Sequence, residues 1–534
     1  MPSKAWPRLP YRISLEMRLN TSIILALMAG AAQADPAFVE RGAQLGIDHQ
    51  YVGGWEHFVG GGIAAFDCDG DALPELYAAG GQAPAALLRN SSQRGGTLSF
   101  QQNTPVSLAL TGVIGAYPLD VDSDGWQDLF VLRVGENQLL KGGPDCSFAP
   151  FPNALGLSGG DKWSTAFSAA WEDGNDLPTL AIGNYVDRHN PEGPFQTCDT
   201  NELLRPKGRG YGAPVDLSPG YCALSMLFSD WGRTGRADLR VSNDRHYYVK
   251  GGQEQMWAMQ PSPRLYGEGD GWRRYMLWGM GIASRDISGD GLPEVYLSSM
   301  GDQKLQMLAD GATGPDFRDA TFEKGTTAHR PHMGGDGRPS TGWHVAFGDV
   351  QNDGRDDIFI AKGNVEQMPG SAMKDPNNLL LQLDDGRFAE GGGDAGVASM
   401  ARSRGAALVD LNLDGRLDLA VVNRRAPVEV YENVTSDAGQ WLLLSLRQPA
   451  PNVDAIGAWL EVKTETGVQS RELTVGGGHA GGTAGFQHFG LGDQAEAQVR
   501  VIWPGGVVSD WATVQAGQVL TLSPDGASLS VTAR

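Results

Sequence analysis

Seven copies of one acidic nine-residue loop, spaced 51–63 residues apart and flanked by apolar β-runs, predict an all-β fold. The predicted architecture is a seven-bladed β-propeller followed by a small C-terminal β-sandwich domain. Composition agrees: 534 residues include 74 glycines and 30 prolines, yet 41% are apolar. That is enough apolar material for a core, cut into short strands by tight turns.

In the clearest loop, Asp120, Asp122, Asp124 and Asp128 take positions 1, 3, 5 and 9, with Gly125 at position 6. Asp410, Asn412, Asp414 and Asp418 repeat the pattern around Gly415. So do Asp286, Ser288, Asp290 and Glu294 around Gly291, and Asp349, Gln351, Asp353 and Asp357 around Gly354. Asp67, Asp69, Asp71 and Glu75 form a fifth copy, in which Ala72 replaces the glycine. Two copies are worn. One keeps Asp230 and Asp238 but has Gly232 and Thr234 at positions 3 and 5; the other starts on Trp171 and retains Asp173, Asn175 and Thr179.

An apolar run enters each loop and another leaves it, as in Ile63 to Phe66 or Leu129 to Leu132. Each 50–60-residue unit then has room for about four strands, one propeller blade. A linear solenoid is the competing arrangement, but β-solenoid repeats are usually much shorter. The C-terminal runs Trp441–Leu446, Ala458–Val462, Gln498–Trp503 and Gln518–Leu522 are β-rich and separated by Gly or Asp, which suits a sandwich.

Alternating carboxylates in a tight turn suit a hard cation such as Ca²⁺, which takes six to eight oxygens. Without a cation the clustered charges repel. Position 12 holds Ala78, Val131, Leu297, Ile360 or Val421, where an EF-hand needs a bidentate Glu, so these are β-hairpin loops. About five structural Ca²⁺ ions are expected, and metal binding at the worn loops is left open. The bland alternative is that Asp and Gly merely favour turns.

Residues 1–34 read as an export signal, with Met17 as an alternative start, an apolar run over Ile23–Ala32 and a small-x-small site at Ala32 and Ala34. An uncleaved anchor is the alternative, although the run is shorter than the roughly 20 residues of a spanning helix. The segment carries four basic residues against one acid, so its loss takes the net charge from −21 to −24. Such a chain is a poor partner for nucleic acid or anionic membranes. A periplasmic or secreted location follows, and it permits disulfides. Cys198–Cys222 would close one Gly/Pro-rich excursion, leaving Cys68–Cys146 by elimination.

These units resemble the FG-GAP/VCBS repeats of integrin α-type propellers, which implies Ca²⁺ in the loops and a closed ring over 35–436. Residues 437–534 resemble an ASPIC/UnbV domain, carried by Arg471, the Gly476–Gly478 run, His488 to Gly492 and Trp503-Pro504. That domain follows the same propeller in cartilage acidic protein and its bacterial relatives. The pattern departs at His479 to Thr483, which replace a more aromatic segment.

No nucleophile-elbow, Walker, zincin or Rossmann motif stands in a fitting context. The reading favours a protein- or glycan-binding, adhesion-type module over an enzyme, with no catalytic residue assigned. The alternatives are a hydrolase or lyase of an extracellular polymer, using His246, His344 and nearby acids, and a periplasmic scaffold or maturation factor. The stretch 187–260 coincides with the worn loops and is the expected binding surface. Replacing Arg245, His246 and Tyr247 there is expected to abolish capture of a ligand.

Overall fold

The computed structural model describes residues 34–151, 155–172, 174–190, 197–244 and 249–534. The export signal, except for Ala34, therefore lies outside the described residues, as do Asp173, Arg245, His246 and Tyr247.

Every acidic loop is the hairpin between the first and second strands of a set of four antiparallel strands, the sets numbered here as sheets 1–7; five are separate four-stranded sheets, and those of the loops at 120 and 171 join into one eight-stranded sheet where Lys162 and Trp163 pair with Gly135 and Val134. In sheet 1 these strands are Ile63–Phe66 and Glu75–Ala78; in sheet 2 they are Val113–Leu119 and Asp128–Gly135. The closing pair is the same throughout: Phe66 faces Glu75, Leu119 faces Asp128, Ala170 faces Thr179 and Ser229 faces Asp238. Arg285 faces Glu294, Gly348 faces Asp357 and Val409 faces Asp418. The nine-residue spacing thus sets one register in all seven hairpins, worn copies included. In six of the loops position 6 lies in the left-handed region, as at Gly125 with φ 95° and Ala72 with φ 78°; in the worn loop at 171 the left-handed residue is instead Gly174, with φ 81°.

First strands are largely buried, all seven residues of Val113–Leu119 among them. Their near-continuous apolar sequence follows from packing on both faces. Each first strand contacts that of the next sheet, and that of sheet 7, Ser403–Val409, contacts Ile63–Phe66 of sheet 1. The outer strand of sheet 7 comes from the other end of the chain, Phe38–Glu40 pairing with Tyr431–Asn433. Among the described residues the architecture is thus almost all β, with antiparallel sheets resembling propeller blades.

Both expected disulfides are present. Cys68–Cys146 ties the first acidic loop to sheet 2, and Cys198–Cys222 ties the excursion of sheet 3 to the start of sheet 4.

The C-terminal residues form two further sheets. One orders Gln487–Gly492, Gln440–Leu446, Gln518–Asp525 and Ser528–Ala533; the other orders Gly467–Glu472, Trp459–Thr464, Glu496–Ile502 and Ala512–Gln515. Leu442, Leu444, Phe489 and Leu520 meet Leu460, Val462, Val499 and Val501 in one buried core. Alternate residues along each strand supply it, as period-2 patterning requires.

Between these sheets the chain makes an excursion not foreseen from sequence. Val475–Thr483 runs among the first strands and bridges those of sheets 1 to 5. Val475 bridges Ala169, Gly476 bridges Leu227, Gly478 bridges Ile282, Gly481 bridges Ala116 and Thr483 bridges Ala65. Glycine is needed on both sides. A Cβ on Gly62 or Gly115 would lie 1.8 or 1.6 Å from the Ala480 carbonyl oxygen.

Candidate metal centres and the surfaces around them

Position 1 of each complete loop organises its turn. Asp120 accepts the N–H of Asp124 at 3.1 Å and of Gly125 at 2.8 Å. Asp349 and Asp410 hold positions 5 and 6 of their loops in the same way. Asp67 and Asp286 hold positions 4 and 6. This is Asx-turn chemistry, and it leaves lone pairs for a cation.

Position 9 has a second role that the sequence reading missed. Asp128 accepts the N–H of Val121 within its loop at 2.9 Å and that of Gly142 on the third strand at 2.8 Å. Glu75, Asp357 and Asp418 make the same pair of bonds, through Cys68 and Asn90, Val350 and Gln382, and Leu411 and Asn433. Position 9 therefore latches loop, second strand and third strand together.

Burial pushes these acids upward despite their amide partners. Asp128 and Glu75 rise to about 8, and Asp120 and Asp286 to about 6, with neighbouring carboxylates adding to the shift. A divalent cation among them supplies the missing opposite charge and reverses the penalty.

Oxygens of Asp67, Asp69 and Asp71 lie within 4.8 Å of one another, as do those of Asp120, Asp122 and Asp128. Either trio could hold a divalent cation. Cys68, Glu75 and Cys146 also cluster, but both sulfurs are joined in a disulfide and offer no thiolate. The acids of the loops at 286, 349 and 410 form no such trio among the described residues. At position 3, Gln351 donates to the Ala34 carbonyl and Asn412 to that of Gly96, while Ser288 offers only a hydroxyl.

Basic side chains also reach the loops, a feature invisible in the nine-residue pattern. Arg89 pairs with Asp69 at 2.5 Å, Arg355 with Asp353 at 2.8 Å and Arg416 with Asp414 at 2.5 Å. Lys141 bridges Asp122 and Asp124. Its ammonium occupies the side of the loop where a divalent ion's ligands converge. Lys141→Met should therefore tighten cation binding at this loop at least tenfold, an effect of about 1.4 kcal/mol, read by calorimetric calcium titration against the unaltered protein. In the worn loop at 171, Arg205 clasps Glu172 at 2.8 Å and Thr179 donates to the same carboxylate.

Four loops carry the C-terminal sheets. The Asn452 amide donates to Ser123 and Gln127 to Asp454; the Asp230 amide donates to Glu472 at 2.7 Å. Gly439 donates to the Gln351 carbonyl, and His488 bonds the Gly415 carbonyl at 3.0 Å. The acidic-loop face is thus a platform for the sandwich.

His479 anchors the inserted segment. Its Nε2 accepts the Gly60 N–H and its Nδ1–H donates to the Met280 carbonyl, both at 3.1 Å, which fixes a neutral tautomer. His344 Nδ1 accepts the His479 amide at 3.1 Å, so this enzyme candidate is committed to holding backbone. Burial lowers His344 to about 4 and His479 to about 3, with Arg404 adding to the latter. Both are depressed below the unfolded value of 6.5, so their contribution is complete above pH 6.5 and is lost as pH falls toward 3–4. Urea unfolding at pH 7.5 and 5 should show a loss on the order of 2 kcal/mol per histidine, and His344→Gln should remove its share.

At the hairpin ends away from the acidic loops lies a cavity of about 630 Å³. Trp163, Met280 and Trp343 line it from the starts of first strands; Tyr185, Asp244 and Met300 line it from just beyond second strands. Tyr185 and Val186 adjoin the stretch expected to bind a ligand and Asp244 lies within it, although Arg245, His246 and Tyr247 themselves lie outside the described residues.

The repeated hairpin geometry is matched by sequence. A family model for an FG-GAP-like repeat matches residues 67–170, the first two complete loops and the third hairpin's leading strand. The chain contains an FG-GAP-like repeat. A second model, ASPIC and UnbV, matches residues 448–529, so the C-terminal sheets include an ASPIC/UnbV domain. No curated protein matches the sequence.

Among solved structures, BBS1N, crystallised in complex with ARL6DN, is similar at TM-score 0.42 and 9% identity, covering 73% of this chain and 98% of that one. An Agrocybe aegerita lectin recognising non-reducing terminal N-acetylglucosamine gives TM-score 0.38 and 14% identity, over 70% and 94% of the two chains. A mutant of AofleA from Arthrobotrys oligospora gives 0.36 and 12%, over 63% and 87%. These likenesses are too distant to transfer a ligand.

Proposed function

We propose that this chain is an exported, calcium-loaded binding module of the adhesion type, directed at a protein or glycan. In this reading residues 35–436 close as a seven-bladed propeller and residues 437–534 form a β-sandwich. The ring is supported by contact between the first strands of sheets 7 and 1 and by the strand Phe38–Glu40, which completes sheet 7 from the opposite end of the chain. Calcium occupies about five loops, most directly those at 67 and 120, and stiffens the platform that carries the sandwich.

The observation that carries the reading is the division of labour between the two ends of the hairpins. Acidic loops and sandwich occupy one end; a ready-formed cavity opens at the other. Cavities of this size, mostly apolar with a few polar groups, are typical ligand sites. The test is to present panels of extracellular glycans and surface proteins to the immobilised full chain, with calcium and with chelator. Retention that calcium supports, with the ligand recovered intact, is expected. Metal-dependent cleavage of a polymer would instead establish the hydrolase or lyase reading.

A further inference from the structure

We propose that Arg285 and Arg471 clamp a small oxyanion between sheet 5 and the C-terminal sheets. The site lies apart from the ligand cavity and takes a ligand of opposite charge to that of the acidic loops.

The first support is the place where the two arginines meet. A second cavity, of about 220 Å³, lies where the acidic-loop ends of the first strands face the sandwich. Arg285 lines it from the last position of Gly279–Arg285, the first strand of sheet 5. Arg471 lines it from Gly467–Glu472, and His488 from Gln487–Gly492. Both guanidiniums turn to one carboxylate, that of Asp356 in the loop at 349. Arg471 Nη2 donates to it at 3.1 Å, while Arg285 Nε stands 3.6 Å away, too far for a hydrogen bond. Two cations thus share one anion.

The second support is the set of donors left over. Among the described residues, Nε and Nη1 of Arg285 and Nε of Arg471 are buried without a hydrogen-bond partner. The Arg471 side chain is 4% exposed and packs on Phe489, its Cζ 3.9 Å from the ring centre. Buried charged donors are costly to leave unmade, and an anion between them supplies the acceptors.

The third is that the other groups on this cavity do not serve the arginines. Asp286 accepts the N–H groups of Gly289 and Gly291, and Glu472 accepts the Ser229 hydroxyl and the Asp230 amide. His488 bonds the Gly415 carbonyl and stays neutral, lowered to about 3 by burial and then by Arg471. Guanidinium forks match the paired oxygens of a carboxylate or of a tetrahedral oxyanion. A halide offers a single centre to donors that sit on two separate forks.

The test titrates the full chain, in calcium, with sodium sulfate and with sodium acetate, against sodium chloride at equal ionic strength, following heat and melting temperature. One oxyanion per chain should bind and raise the melting temperature above that in chloride. Arg285→Met should weaken that binding at least tenfold. Without oxyanion this variant should melt no lower than the unaltered protein, because it removes a buried charge that lacks a hydrogen-bonded partner. Arg387→Gln, which removes an exposed cation elsewhere, should leave binding unchanged. Tighter binding of sulfate would assign the site to a tetrahedral oxyanion, and tighter binding of acetate to a carboxylate. Binding of neither, an equal effect of chloride, or undiminished binding by Arg285→Met would overturn the proposal. The calcium-dependent stability described below would survive that failure.

Discussion

Gly115→Ala is expected to be among the most destabilising single-methyl additions in this chain, at about 3 kcal/mol or more. The added Cβ would stand 1.6 Å from the Ala480 carbonyl oxygen, which belongs to backbone held from both sides. Gly115 does not lie at positive φ, so alanine brings no backbone strain of its own. The cost therefore reports the approach of the inserted segment alone. Urea unfolding gives the energy, and limited proteolysis gives the location: cleavage within 475–483 should accelerate. A change below 0.5 kcal/mol with unaltered proteolysis would mean that the segment is not seated among the first strands.

The second large effect concerns the latch acids. Asp128→Ala leaves two buried amides, those of Val121 and Gly142, without acceptors, at about 1–3 kcal/mol each. That loss should persist in chelator, because it comes from hydrogen bonding and not from metal. Asp122→Asn is the contrasting change. Asp122 is partly exposed and pairs with Lys141, so it should weaken calcium binding while leaving stability in chelator within about 0.5 kcal/mol. Unfolding curves of both variants, with calcium and with chelator, separate the two roles. Equal behaviour in chelator would remove the distinction.

Much of the fold was legible because it is written locally. The nine-residue loop fixes a hairpin register, and seven copies fix seven hairpins, even where Gly232 and Thr234 have replaced ligands. The C-terminal strands were readable as β-rich runs separated by Gly or Asp; the run expected at Gln518–Leu522 lies within Gln518–Asp525. Both disulfides match the pairing preferred among the three that four cysteines allow. What escaped depends on contacts distant in sequence. Nothing near Gly476–Gly478 announces that it threads among strands that lie hundreds of residues earlier, although the glycines at 62, 115 and 281 were the other half of that signal. Lys141 and Arg89 sit on third strands, outside the loop pattern, and reach the acids only once the sheet forms. The cavity draws single aromatic residues from several sheets, so no window of sequence contains it. Position 9 was read as a metal ligand because carboxylate identity is visible and its backbone partners are not.

The central claim is that the acidic loops hold calcium and that the ions stabilise the assembled molecule. Thermal unfolding of the full chain, in calcium and then in excess chelator, with calorimetric counting of bound ions, tests it most directly. At ten times the dissociation constant each ion adds about 1.4 kcal/mol, so about five ions add about 7 kcal/mol and raise the melting temperature by roughly 5–10 °C. The expected result is that shift with about five ions bound. An unchanged melting temperature with no calcium bound would contradict it, leaving the loops as turns held by their own amides and by Arg89, Lys141, Arg355 and Arg416.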